Sequence, residues 1–149
     1  MDVRVQEAGF DLGEESAAFA ARTEASGAVV TFTGIVRNNA EGSLDHMLIE
    51  HYPQMTLKAL ESIAKEALGR WSLEDATVIH RYGAMKPGEM IMMVATAARH
   101  RKDAFEAAEF LMDFLKSRAP FWKKEVTKTT AGWVAAKEED EAALDRWQQ

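Results

Sequence analysis

The stretch Lys116-Ser-Arg-Ala-Pro-Phe-Trp-Lys-Lys124 places four cationic side chains and two large aromatics within nine residues of a chain whose formal net charge is −6. Two ammonium groups facing one pocket would hold a small anion. The spacing allows this. Pro120 disfavours helix at Ala119 and lacks a backbone donor, so a helix entering the stretch stops near Ser117 or Arg118. Lys116 then lies on the last helical turn and Lys123 on the segment that leaves the corner. The same residues have a plainer use. Cations at a helix C-terminus complement the macrodipole by roughly 0.3–1 kcal/mol, and Lys116 can pair with Asp113 one turn back.

Other cations fall at the ends of elements. Arg37 closes a β-branched run after Gly34, where an ion pair to one of the many acids is the alternative role. His100-Arg101 stands where a strand turns into a helix, and backbone donors beside an Arg and a His form an anion site. A solvated turn fits that dipeptide equally well. If Arg37, His100, Arg101, Lys116, Lys123 and Lys124 converge, they imply a small polyanionic substrate. His51 and His80 read as satisfied strand residues, and the methionines Met85, Met90, Met92, Met93 and Met112 as core packing. No His-Glu-x-x-His spacing is present, so no metal site is expected. Neither a dinucleotide-type glycine pattern, a phosphate-binding loop nor a Gly-x-Ser-x-Gly elbow occurs.

These residues need elements to hold them. Met1 to Val5 alternates as a short strand, and Asp11 has the spacing to cap a helix that Gly27 would stop. Ala28 to Arg37 and Leu44 to Tyr52 read as strands joined by the loop 38–43, a long hairpin with Arg37 at its mouth. Thr56 can cap a helix carrying Leu57, Leu60, Ile63, Ala64, Ala67 and Leu68, with Gly69 and Trp71 at its end. Ala76 to Tyr82 and Met90 to Ala98 are strands around a turn, 83–89, that contains Lys-Pro-Gly. From about Lys102 to Lys116 runs a helix with an apolar stripe of Phe105, Ala108, Met112 and Leu115, flanked by Leu111 and Phe114. Its polar stripe is Lys102, Glu106, Glu109, Asp113 and Lys116. Phe121 to Val126 and Trp133 to Ala135 form a last hairpin. An acidic helix follows from Lys137 to Trp147, with Ala142, Ala143 and Trp147 as its buried side. Helices and antiparallel hairpins mix without βαβ alternation, so the class is α+β.

Composition bounds the function. A chain of 149 residues with 47% hydrophobic content is expected to form one domain over residues 1–149. No apolar run has the length of a membrane span, and the N-terminus lacks the basic-then-apolar layout of a signal peptide. The reading is a cytoplasmic protein. With no cysteine, the chain has no disulfide, thiolate metal site or catalytic thiol. If the reaction moves sulfur, the sulfur must arrive on something else. The acidic balance argues against a general nucleic-acid binder.

Four stretches in order carry a family resemblance: Gly27-Ala-Val-Val-Thr-Phe-Thr-Gly-Ile-Val-Arg37, Ile49-Glu-His-Tyr-Pro-Gln-Met-Thr56, Val78-Ile-His-Arg-Tyr-Gly83 and Lys116-Ser-Arg-Ala-Pro-Phe-Trp-Lys-Lys-Glu125. In these the chain resembles the catalytic subunit of molybdopterin synthase, the MoaE family, over about Phe10 to Trp147. The resemblance implies an α/β-hammerhead fold and a homodimer within a heterotetramer. A small ubiquitin-like sulfur-carrier subunit of the MoaD type would bind at each end, its C-terminal Gly-Gly thiocarboxylate threaded into the pocket.

There the carrier would give sulfur to cyclic pyranopterin monophosphate, two transfers making the molybdopterin dithiolene of molybdenum cofactor biosynthesis. The activity is that of a sulfurtransferase with no permanently bound cofactor. The family's lysines fall on Lys116 and Lys123. Its substrate-contacting positions fall on Ile35, Val36, Arg37, His100, Arg101, Lys116, Lys123, Lys124 and Glu125. Position 35 is Ile where relatives can carry Lys, so its backbone is what it would contribute. Position 137 is Lys where a relative carries Arg, which loses a bidentate phosphate fork. Lys116 would lie nearest the reacting carbon and acyl tail, with Lys123, Arg118 and burial against Phe121 or Trp122 lowering its pKa. Two further classes fit parts of the pattern: a nucleotide- or RNA-binding module stacking bases on Trp122, and a non-catalytic interaction subunit.

Overall fold

In the computed structural model, which describes residues 1–128, 131–134 and 138–148, two four-stranded sheets divide the strands. The elements are β1 (Asp2–Gln6), α1 (Leu12–Ala21), β2 (Ala28–Ile35), β3 (Leu44–His51), α2 (Pro53–Arg70), β4 (Asp75–Arg81), β5 (Gly83–Met85), β6 (Met90–Ala98), α3 (Arg101–Ser117), β7 (Phe121–Thr127), β8 (Ala131–Val134) and α4 (Glu138–Asp145). The first sheet runs β1-β4-β6-β2 and the second β5-β3-β7-β8. Among the described residues β1 and β4 alone pair in parallel; the other pairings are antiparallel. The mixture is α+β, as the sequence indicates.

The central strands show why the first sheet is rigid. Residues 76–80 of β4 and 91–98 of β6 are buried without a break. Both faces of a sheet must be covered for such a run to be stable. Ile79, Met93, Ala95 and Ala97 pack with Phe19 of α1, whereas Ala76, Val78, Met92, Val94 and Ala98 join α2 and α3. Among the described residues no helix is long and apolar enough to cross a membrane.

Several expectations are corrected. β2 and β3 are not a hairpin: β2 pairs with β6, and β3 lies between β5 and β7. After a register shift at Gly34/Ile35, the Val36 N–H donates to the Glu89 carbonyl and the Gly88 N–H to the Val36 carbonyl. The side chain of Asn38 then accepts from the N–H groups of Asn39 and Leu44, turning the chain from one sheet into the other. Residues 83–85 are strand rather than turn, because they complete the free edge of β3.

Helix boundaries shift for local reasons. α1 stops at Ala21 with Arg22 as its cap, and Arg22 reaches Asp75 and Thr77 instead. Gly27 serves close approach: a Cβ there would lie 2.4 Å from the Arg99 carbonyl oxygen. α2 begins at Pro53, a residue suited to the first helical position. Thr56 is inside it, its hydroxyl donating to the Pro120 carbonyl at 3.2 Å. α2 also continues through Gly69, with Trp71 as its cap.

α3 buries Ala104, Ala107, Ala108, Phe110, Leu111 and Leu115, while Phe105 is 60% exposed, so the stripe is rotated from the expected one. Small alanines let the helix lie close to β6. On α4, Ala142 faces solvent, and Trp147 beyond it packs edge-on against Trp71 and Phe110. Ala135 and Lys137 lie outside the described residues.

Candidate active site

The corner that ends α3 is built as the proline predicts. The Arg118 and Ala119 N–H groups both donate to the Phe114 carbonyl, and the Phe121 N–H donates to Ala119. Thr56 ties the corner to α2 through Pro120. Lys116 therefore leaves α3 one residue before its end, and Lys123 enters on β7, seven residues later. Side chains alternate along a strand. Lys123 and Glu125 line a cavity of about 820 Å³, whereas Lys124 points the other way, its ammonium 5.5 Å from the centre of the Trp133 ring.

Four other elements complete the cavity. The end of β2 supplies Phe32 to Ile35, and the chain after it supplies Arg37, Asn38, Asn39 and Ala40. Met47 of β3, Ile91 and Met92 of β6, and Met112 and Leu115 of α3 make an apolar floor. The walls carry Arg37, Lys116 and Lys123. Among the described residues Glu125 is the one carboxylate in the lining, and none of the three cations forms an ion pair. Several arginines elsewhere are engaged: Arg118 with Glu141 at 3.1 Å, Arg146 with Asp113 at 2.6 Å, Arg22 with Asp75 at 2.7 Å. Three unpaired cations around an apolar floor, in an acidic protein, suit a small anionic ligand with a flat or apolar body.

The fold desolvates Lys123. Burial lowers its pKa, the positive charge of Lys116 lowers it further, and Asp140 opposes both. Lys116 itself is exposed at the mouth. Arg118, held by Glu141, is not part of the lining.

The six cations do not meet within one chain. Arg37, Lys116 and Lys123 are brought together with Ile35 and Glu125. Val36 is buried at 1% exposure, its backbone pinned to the turn before β6. His100 and Arg101 start α3, about 22 Å along the helix axis from Lys116 at 1.5 Å per residue. His80, read from the sequence as a satisfied strand residue, does bond through Nδ1 to the Arg81 carbonyl but also lines the cavity; Asn38 lines it without having been singled out, and Met112 is lining as well as packing. The signal for His80 was its place at the end of the β-branched run Thr77-Val-Ile79. Among the described residues no group of three or more His, Asp or Glu is arranged to hold a metal ion.

Comparison with known proteins gives a consistent result. The family model described as "MoaE protein" matches residues 5–118. The molybdopterin synthase catalytic subunit of Cereibacter sphaeroides is 62% identical over 147 residues, covering 99% of this chain and 100% of the relative. The subunit of the same name from Ralstonia nicotianae is 54% identical over 146 residues, 97% of this chain and 83% of the relative. Among solved structures, the molybdopterin biosynthesis MoaE protein from Burkholderia ambifaria superposes with a TM-score of 0.84 at 49% identity, covering 99% of this chain and 98% of that one. The α/β-hammerhead expectation accords with that likeness.

Proposed function

The chain belongs to the MoaE family, and from that premise we propose that it is the catalytic subunit of a molybdopterin synthase. It transfers sulfur from the C-terminal thiocarboxylate of a small MoaD-type carrier subunit to cyclic pyranopterin monophosphate. The observation that carries the reading is the meeting of Lys116 and Lys123 in one cavity with Arg37, none of them in an ion pair among the described residues. Arg37 would bind the cyclic phosphate through charge-assisted hydrogen bonds, and the methionine floor would take the flat pterin.

The carrier's sulfur forms the new carbon–sulfur bond as a carbon–oxygen bond at the same precursor carbon breaks, its oxygen leaving as water or on the phosphate. The bond from that sulfur to the carrier's acyl carbon breaks with addition of water, and the carrier leaves as a carboxylate. Lys116 at the mouth meets the acyl tail, and Lys123, whose charged form burial disfavours, accepts a proton at the reacting atoms. No permanently bound cofactor is required, since the sulfur comes with the partner and the chain has no cysteine. The reaction belongs in the cytoplasm.

A homodimer within a heterotetramer accounts for His100 and Arg101. β2 is the edge of its sheet and exposes Val29, Phe32 and Ile35 at 41–53%. Its first residue, Ala28, pairs with Ala98, beside His100, while its last, Ile35, lines the cavity. Two copies joined antiparallel along β2 would bring His100 and Arg101 of each toward the cavity of the other. The nucleic-acid reading loses support, because Trp122 lies against Tyr52 on the face of β7 that turns from Lys116 and Lys123.

The test is conversion of the precursor by purified protein with a carrier ending Gly-Gly or Val-Gly. Glycine has no Cβ, so an extended Gly-Gly tail passes where a side chain would clash. Transfer should fall steeply for Val-Gly with little change in carrier affinity; equal transfer rates rule out a threaded tail.

A further inference from the structure

His80 is a buried ring that the two-lysine reading leaves unused. It lies near the end of β4, is 3% exposed, and lines the same cavity as Lys123. Its Nδ1 is 2.8 Å from the Arg81 carbonyl oxygen. That oxygen only accepts, so Nδ1 carries the ring hydrogen and Nε2 keeps its lone pair. The plane of the ring is fixed as well, by Phe121 stacked on it at 3.7 Å between centroids and 17°. Phe121 is two residues before Lys123 and on the same face of β7. The stack that orients the imidazole therefore sits on the strand that carries the lysine.

Burial pushes His80 down to about 3, and Lys123 and His51 push the same way, so the ring is neutral at physiological pH. Among the described residues the charged groups around Lys123 are Lys116 from α3, Asp140 from α4, Glu125 from its own strand and Arg37 from the chain after β2. None of the acids is in ion-pair contact with it.

We propose that His80 is the positioning residue for Lys123: its Nε2 offers the lysine an uncharged hydrogen-bond acceptor that directs the amine into the cavity and leaves it free to exchange protons. A carboxylate in that place would hold the lysine as ammonium, and a phenyl ring would leave it undirected. This rests on the sulfur-transfer reading only for its consequence in turnover. The test is therefore made on the protein alone.

His80→Asn can donate to the Arg81 carbonyl as Nδ1 does but is too short to reach the place of Nε2, whereas His80→Gln reaches it. Lysine-labelled protein, with Lys123 assigned through Lys123→Arg, gives the titration of residue 123 from its Cε resonance. Losing the acceptor removes support from the ammonium, so H80N should lower the Lys123 pKa by about one unit, and H80Q should keep it within a few tenths. A purely structural role would lower the Tm of both variants and leave the titration in place. Wild-type titration in H80N, or equal shifts in both variants, overturns the proposal. A second readout needs no change at His80: the nitrogen resonance of its Nε2 should move toward that of a free lone pair in Lys123→Met. An unchanged resonance also overturns it.

Discussion

At the scale of residues, burial in the site disfavours the charged forms of His80 and Lys123. His80 makes this measurable in stability. Its folded pKa of about 3 lies below the 6.5 of an exposed histidine. Below pH 6.5 the unfolded chain therefore takes up a proton that the folded chain refuses. Stability present above pH 6.5 is lost as pH falls, by about 2 kcal/mol at pH 5 and 1.4 kcal/mol per pH unit. Burial also lowers His51, which adds to the same slope. The lowered carboxylates Glu15, Asp75 and Glu89 act in the same sense but at lower pH, below their usual values near 4. Urea unfolding at pH 7 and pH 5 should show the loss in wild type and a smaller one in His80→Asn. Identical losses would mean that the ring is not held neutral by the fold. The lysines were legible in the sequence because a proline corner places both within nine residues. His80 was not, because its environment is made by Phe121, 41 residues away.

At the scale of elements, the α3–β7 corner is the device that brings Lys116 and Lys123 together, and α2 holds it from outside. The Thr56 hydroxyl is fully buried and donates to the Pro120 carbonyl. Thr56→Val keeps the shape and removes the bond, at a cost of about 1 kcal/mol. Turnover should fall by more than that loss of stability explains, since the corner sets the spacing of the lysines. Thermal unfolding and kcat measured together check this; a lower Tm with unchanged kcat would make the bond merely structural. The elements themselves were largely readable from periodicity, but their partners were not. Ala28–Ile35 and Leu44–His51 are adjacent strands by pattern, yet β6 and β7 claim them for separate sheets. Pairing between distant segments leaves no mark on local alternation. The Phe105 side of α3 was misread because alanines at 104, 107 and 108 bury more readily than their hydrophobicity suggests when a helix lies close to a sheet.

At the scale of the whole molecule, one chain supplies half of the predicted anion-binding groups to its cavity, and an open strand edge offers the way to the rest. Val29→Lys with Phe32→Lys should convert a dimer into a monomer by sedimentation velocity, because charge on an edge strand opposes edge-to-edge pairing. A wild-type monomer at micromolar concentration, or a variant that stays dimeric, would remove β2 as the interface. The acidic balance of the chain makes the cluster of Arg37, Lys116 and Lys123 around one cavity a local exception to the net charge of −6. The account stands or falls on the two lysines in that cavity. Its most direct test is single-turnover conversion of cyclic pyranopterin monophosphate by the protein loaded with thiocarboxylated carrier, in wild type, Lys116→Ala and Lys123→Ala. The account predicts product from wild type and at least a hundredfold slower transfer in each variant, about 2.7 kcal/mol of barrier, with carrier affinity and Tm near those of wild type. Sulfur transfer at the wild-type rate in either variant, or none from wild type, would contradict it.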